Sequence, residues 1–473
     1  MFSSVDIPLI KTYDEFKDYN KWLRKSVLPL EHIKIISVFY STDTISILNL
    51  DSGKEYTFDL NDFIYDFIVS RKLVIQSNIS ILRKYDFAEL YMRTHPLIFC
   101  EDVMNFIKGL MTFGYQEFKL LKFSVRIDSD DVIITKYVDE SKGSKVLIPF
   151  FITKIDGHAF SENINIKEVS FQDGSRLTSI GPSAFYGCSS LTYIMLPKRL
   201  KQVLSYAFAH CGLVSVKLSE DVEIIGDGAF MGCPLTSINI PYKVTKIKQR
   251  TFSYCQELEK VTFSPNSSLE EIEKSAFSFC YNLKSLEMPE SMVRVGEYAF
   301  EACGLESIIV PNNVNHLGLS VFSSCFNLKS AKISEDISEI PDELFLHCKN
   351  LEYIDLPSKL KKIGKQAFSD TGIKTLRNLP ESLDELAAYS FFKCERLESV
   401  ELPDSITKIG RWSFSDCVKL KEINIPKNVK DVSISIIHSS GVQRVYLHAD
   451  SLTNNPKLKE LSDYIDFIIE DKS

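Results

Sequence analysis

The chain has no hydrophobic run long enough to cross a bilayer. Its most apolar segment, Phe63 to Val69, is interrupted by Asp66, whereas a membrane-spanning helix needs about 20 apolar residues. The first residues, Met1-Phe2-Ser3-Ser4-Val5-Asp6, lack a basic start followed by an apolar stretch, so no secretory signal is expected. There is no Cys-x-x-Cys pair, no Walker-type loop and no dinucleotide glycine pattern. That removes the commonest sequence marks of zinc, nucleotide and redox chemistry. Neither sign of charge dominates, with 55 Lys and Arg against 63 Asp and Glu, which gives no reason to expect nucleic acid or an anionic membrane as partner, and without an apolar run no membrane insertion is expected. His210 and His347 each precede a Cys. Adjacent residues on a tight turn point different ways, so neither pair reads as a Cys–His nucleophile or a zinc site. No catalytic residue, cofactor or metal ligand is assigned, and the chain reads as non-enzymatic.

What the chain holds in quantity is one unit, repeated. A Phe recurs at 160, 185, 208, 230, 252, 277, 300, 322, 345, 368, 391 and 414, with Ile437 in its place once more, at gaps of 22 to 25 residues. A fixed period in the twenties is the mark of a solenoid. Each unit has three parts. The first is Leu-x-x-Ile-x-Ile-Pro, as in Leu235 to Pro241, an alternating strand ended by a residue without an N–H to donate. The second is Val-x-x-Ile-Gly, as in Ile406 to Gly410. Its Gly, at 181, 226, 296, 318, 364 and 410, suits a turn with positive φ. The third is Ala-Phe-x-x-Cys, expected as one helical turn that drops its Phe into the core. The two 25-residue gaps come from insertions at Phe171 to Leu177 and Phe263 to Leu269, which are expected to bulge from one edge.

Cysteine is informative by position. There are 11, and ten of them, Cys188, Cys211, Cys233, Cys255, Cys280, Cys303, Cys325, Cys348, Cys394 and Cys417, lie three residues after the repeated Phe. Asn163, Thr371 and Ser440 hold the same position in the remaining units. A slot that accepts Cys, Thr, Asn or Ser wants a small, weakly polar, buried side chain and does not require a crosslink. The column reads as a structural ladder of reduced thiols.

Residues 1–125 lack the repeat and read as a small α+β domain. Helices are expected over 13–27, 61–93 and 101–123. Strands are expected at Ile33 to Phe39 and on either side of a hairpin turn at Asp51-Ser52-Gly53-Lys54. The acidic stretch Arg126 to Asp131 is taken as the boundary with the solenoid, which occupies 126–450. Residues 451–473 are expected to cap the open end with a helix, since Leu458 to Glu470 looks amphipathic.

Leu-x-x-Ile-x-Ile-Pro, Val-Thr-x-Ile-Gly and Ala-Phe-x-x-Cys, in fixed order over about 131–450, resemble the BspA-like subclass of leucine-rich repeats. The resemblance implies a right-handed, leucine-rich-repeat-like β-solenoid or horseshoe of about 13 coils that binds proteins. That family is known for surface antigens and adhesins contacting host matrix or cell-surface proteins. Here the sequence shows no signal, anchor or low-complexity stalk. A second reading therefore stands beside the first: an intracellular adaptor whose repeats select a partner while residues 1–125 couple it to other machinery.

Two surface features bear on binding. The residue after the strand Leu runs Glu259, Lys284, Glu306, Lys329, Glu352, Lys374, Glu398, Lys421. Stacked neighbours of alternating sign attract and hold the register, and the column reads first as a self-neutralised solvated face. At its N-terminal end the column becomes Thr192, Val214 and Thr236, with Tyr193 and Met195 beside it. Interface cores favour aromatic and Met residues over charges, so these five residues are the candidate protein contact. Asn78 and Asn266 begin N-glycosylation patterns, which matter only in an exported chain.

Overall fold

A computed structural model describes residues 33–39, 44–49, 55–59, 123–128, 131–137, 142–150, 152–432, 434–447 and 466–469. The chain forms two compact units, residues 1–207 and 208–473. The expected helices over 13–27, 61–93 and 101–123 lie outside the described residues, apart from Phe123, which begins a strand.

In the first unit, β1 (Ile33–Phe39), β2 (Thr44–Asn49), β3 (Glu55–Asp59), β4 (Phe123–Asp128) and β5 (Asp131–Tyr137) form an antiparallel sheet in the order β3-β2-β1-β4-β5. The β2–β3 pair, with Leu48 opposite Glu55, is the hairpin expected across 51–54. The division expected at 125/126 falls inside β4, which pairs with β1 on one side and β5 on the other. β5 then changes the mode of pairing. Its other edge pairs in parallel with β7 (Lys154–Ile155), and β7 with β9 (Ser179–Ile180). That is where the solenoid starts. A second parallel sheet joins β6 (Ser144–Ile148), β8 (Ile166–Phe171) and β10 (Tyr193–Met195).

In the second unit the coils share one plan. The long strand alternates exposed and buried, as in Ser215–Lys217 and Ser237–Ile240. The Pro ends the strand, and its carbonyl accepts the N–H three residues on, as in Val314 N to Pro311 O at 3.0 Å. A two-residue strand follows, and these stack in parallel register, Lys246 on Glu271 on Arg294 on His316. The core Phe rings stack from Phe208 to Phe414 at centroid separations of 5.3–5.7 Å. Each ring is buried, so every coil brings one large apolar side chain to a common column.

The Ala-Phe-x-x-Cys segment is not a helical turn. The residues two before and two after each core Phe are left-handed, such as Ser320 (φ 55) and Ser324 (φ 59) around Phe322. The reason is hydrogen bonding. N–H groups of Ser320, Phe322 and Ser324 donate to Asp342, Leu344 and Leu346 of the next coil, at 2.7–3.1 Å. Those of Ser323 and Cys325 turn back three residues within their own coil. A helix would send every N–H along its own axis and leave the neighbouring coil unpaired. Among the described residues only the last coil carries a short 3-10 helix, Ile434–Ile437.

The Gly after the short strand also has a different cause from the one expected. Gly181, Gly296, Gly318, Gly364 and Gly410 are not in the left-handed region. A Cβ on Gly318 would lie 2.4 Å from Glu297 N and 2.7 Å from Gly296 C. The backbone of the preceding coil passes too close for any side chain.

The C-terminal end is likewise corrected. Where a helix is expected over 451–473, residues Asp466–Ile469 form a strand, in parallel register with Arg444–Leu447. The sheet gains a further strand there, because pairing to an existing edge satisfies backbone groups that a detached helix would leave open.

Candidate protein-binding face

The repeat's reactive side chains are committed to packing. All ten repeat thiols are free and buried. Nine of them donate to the carbonyl of the core Phe one coil back, for example Cys188 to Phe160, Cys303 to Phe277 and Cys417 to Phe391, at 3.0–3.2 Å. Thr371, in the same slot, bonds its own coil's Phe368 carbonyl at 2.9 Å instead. Burial pushes the Cys255 thiol up to about 12 and moves Cys233, Cys280, Cys325 and Cys348 in the same direction. These groups stay protonated at neutral pH, and a thiol is neither nucleophile nor metal ligand. His347 is engaged with Asp370, Nδ1 to Oδ2 at 2.9 Å. Among the described residues no group of three His, Cys, Asp or Glu is close enough to hold a metal.

The variable chemistry sits on the outer face of the long strands. In the first unit Tyr193 (45% exposed) and Met195 (57%) flank buried Ile194, with Thr192 exposed beside them. In the second unit Val214 and Thr236 are exposed neighbours, and Thr236 N donates to Val214 O at 3.0 Å. The five expected contact residues are therefore outward-facing, on strands or beside them.

A more developed feature was missed from the sequence. Strands Ser307–Ile309, Ser330–Lys332 and Tyr353–Asp355 stack in register, Ser307 on Ser330 on Tyr353 and Ile309 on Lys332 on Asp355. The next strand, Thr375–Leu376, belongs to a different sheet. No backbone hydrogen bond joins 352–356 to 374–378 among the described residues. The cause is local. One residue, Gly372, separates Thr371 from the strand's Ile373, yet Pro380 comes late, so Asn378 is an extra residue in this strand. The core reflects the split: Phe345 and Phe368 are tilted by 21°, against 2–15° elsewhere in the unit's stack. A groove of about 610 Å³ opens there, lined by Ile309, Lys332, Tyr353, Asp355, Thr375 and Arg377 among others. Tyr353 (71% exposed) and Ile309 (67%) are very exposed for large apolar residues.

The charge column recognised in the sequence pairs as expected at Lys329–Glu306 (3.3 Å) and Lys374–Glu352 (3.0 Å). A second column lies three residues further along each strand. Its residues Lys332, Asp355, Arg377 and Glu401 also alternate, with Lys332–Asp355 at 3.4 Å and Arg377–Glu401 at 3.8 Å. The two columns agree in sign within each coil: Lys329 with Lys332, Glu352 with Asp355, Lys374 with Arg377, Glu398 with Glu401. The face is therefore banded, one sign per coil. The short-strand face carries its own alternation, with Glu271 between Lys246 and Arg294 and Glu385 between Lys362 and Lys408.

Comparison with known proteins follows from this geometry. A leucine-rich repeat protein from Bacteroides ovatus is 24% identical, with a TM-score of 0.48, over 74% of this chain and 98% of that one. A leucine rich cell surface protein from Faecalibacterium prausnitzii is 20% identical, with a TM-score of 0.42, over 74% and 94%. The pneumococcal vaccine antigen PcpA is 19% identical, with a TM-score of 0.46, over 74% and 97%. No curated protein matches by sequence. The family described as BspA type leucine rich repeat region (6 copies) matches residues 131–259, 178–303, 270–378 and 339–455. Matched from 131 to 455, with the coil geometry to go with it, the chain belongs to the BspA type leucine-rich repeat family.

Proposed function

We propose that the protein is a non-catalytic scaffold that recognises a protein partner on the outer face of its long strands. One observation carries this reading. Where most coils place Ser, Thr or a charged residue, a few place large apolar side chains in the open, Tyr193 and Met195 in one unit and Ile309 and Tyr353 in the other. Aromatic and aliphatic anchors set among polar residues are the usual centre of a protein contact. Packing does not call for them, since the strand's buried position is filled in each case.

A photo-crosslinking residue placed at 193, 195, 309 or 353 tests this in the cell of origin. Crosslinks to a discrete protein from these sites, and none from the turn-face position Arg250, are the expected result. Equal labelling from both faces would refute the assignment. Family membership supports a place at the cell surface as antigen or adhesin. Antibody labelling and protease shaving of intact cells decide that point, and protection from both moves the protein inside the cell as an adaptor.

A further inference from the structure

We propose that the banded face over coils 329–401 docks a second copy of this chain, by a two-fold axis lying along the strand direction between Tyr353 and Thr375. Four successive coils carry the signs plus, minus, plus, minus, each on two columns: Lys329 and Lys332, Glu352 and Asp355, Lys374 and Arg377, Glu398 and Glu401. The column Lys332, Asp355, Arg377 and Glu401 stands in the open, at 50%, 64%, 61% and 68% side-chain exposure, while Glu352 in the other column is half-buried against Lys374 and Arg396.

An even number of alternating bands is complementary to its own reverse. Rotation about an axis along the strands reverses coil order and keeps each column over itself. Lys329 then faces the second copy's Glu398, Lys332 faces its Glu401, Glu352 its Lys374, and Asp355 its Arg377. The same contacts recur in the other direction, as an isologous pair requires. The next coils out extend the match, since Glu306 would face Lys421. Rotation about the solenoid axis instead would set like charges against each other, so only one orientation is allowed.

The uncharged middle column fits the same operation. Tyr353 would face Thr375 of the other copy, and both lie on the groove that the axis crosses. The split sheet therefore gives each protruding ring a place to enter. A foreign protein would need charges repeated at the same coil spacing of roughly 5 Å and alternating in step. A second copy has that spacing by construction. The banded face measures about 20 Å by 10 Å over four coils, less than the roughly 800 Å² per partner of a tight complex. A weak, salt-sensitive pair is expected.

The proposal rests on the reading that this face binds protein, and its failure is separable from the failure of that reading. Sedimentation of the full chain, up to about 0.2 mM and in salt from about 0.05 to 0.5 M, measures self-association as the Debye length falls to roughly 4 Å. A dimer that weakens at least tenfold over this range is expected. Two variants then isolate the face: an acidic one (Lys329→Glu, Lys332→Glu, Lys374→Glu, Arg377→Glu) and a basic one (Glu352→Lys, Asp355→Lys, Glu398→Lys, Glu401→Lys). Each alone should be monomeric, and an equimolar mixture should pair, which also shows that both are folded. A wild-type chain that stays monomeric in low salt overturns the proposal, as do variants that still self-associate or fail to pair when mixed. A monodisperse chain whose residue 353 crosslinks to a different protein removes self-docking alone and leaves the scaffold reading intact.

Discussion

Raising the pH is the sharpest probe of the thiol ladder. Cys255 is buried, bonded to the Phe230 carbonyl at 3.2 Å, and held up to about 12. In the unfolded chain the same thiol titrates near 8.5. Its folded pKa is thus raised above its unfolded one, so its contribution to stability is complete below about 8.5 and is lost as pH rises from there toward 12. Between pH 7.5 and 9.5 the unfolded thiol ionises while the native one does not, which lowers the unfolding free energy by about 1.4 kcal/mol. Cys233, Cys280, Cys325 and Cys348 are displaced in the same direction by burial, so their losses add to it. Set against a typical domain stability of about 5–15 kcal/mol, this is a large alkaline weakness. Urea titration of the reduced chain across that pH range measures it. Cys255→Ala should be less stable at pH 7.5 yet lose about 1.4 kcal/mol less on going to pH 9.5. A stability flat across this range, or thiols that react with a disulfide reagent as fast as free cysteine in the native chain, would show that the ladder is not buried as described.

Other substitutions test separate parts of the coil. Gly318→Ala forces a Cβ to within 2.4 Å of Glu297 N, and a loss of about 2 kcal/mol or more is expected by thermal unfolding. Arg250 is exposed with φ 55. Arg250→Gly should stabilise by up to about 1 kcal/mol as left-handed strain outweighs chain entropy, while Arg250→Val should destabilise by about 1–2 kcal/mol. Ser390 Oγ is buried without a hydrogen-bond partner, in a column where Ala predominates, so Ser390→Ala should gain about 1 kcal/mol in chemical denaturation. Phe300→Ala removes one ring from the stack and should cost about 3–5 kcal/mol.

The repeat period, the Phe and Cys columns, the Pro turn and the outer charge column were all legible in the sequence. Each is a side-chain preference imposed at the same place in every coil. What escaped was set by backbone contacts between coils. The left-handed positions are held mostly by non-Gly residues, including Tyr206, Glu343 and Trp412, so no composition signal marks them. Gly318 did carry a signal, but it reports the neighbouring coil's approach and not its own φ. At the end of the chain, an amphipathic pattern gave way to strand pairing at 466–469. The second charge column, Lys332 to Glu401, was readable from the same repeat alignment. The groove beside it depends on which strands pair, and no side-chain preference in the repeat records that.

The bonds between coils also have a direction. Around most core Phe residues, three backbone N–H groups reach to the next coil, while the thiol reaches to the previous one. A whole coil removed or duplicated in register would leave every donor with an acceptor of the same kind. A change of one residue is carried in the turn between the Cys and the strand Leu, which holds one residue in the 22-residue coils and two in most of the 23-residue ones. Evolution of such a chain can therefore proceed in steps of a complete period. Related proteins should differ in their number of coils more readily than in the length of any one of them outside that turn.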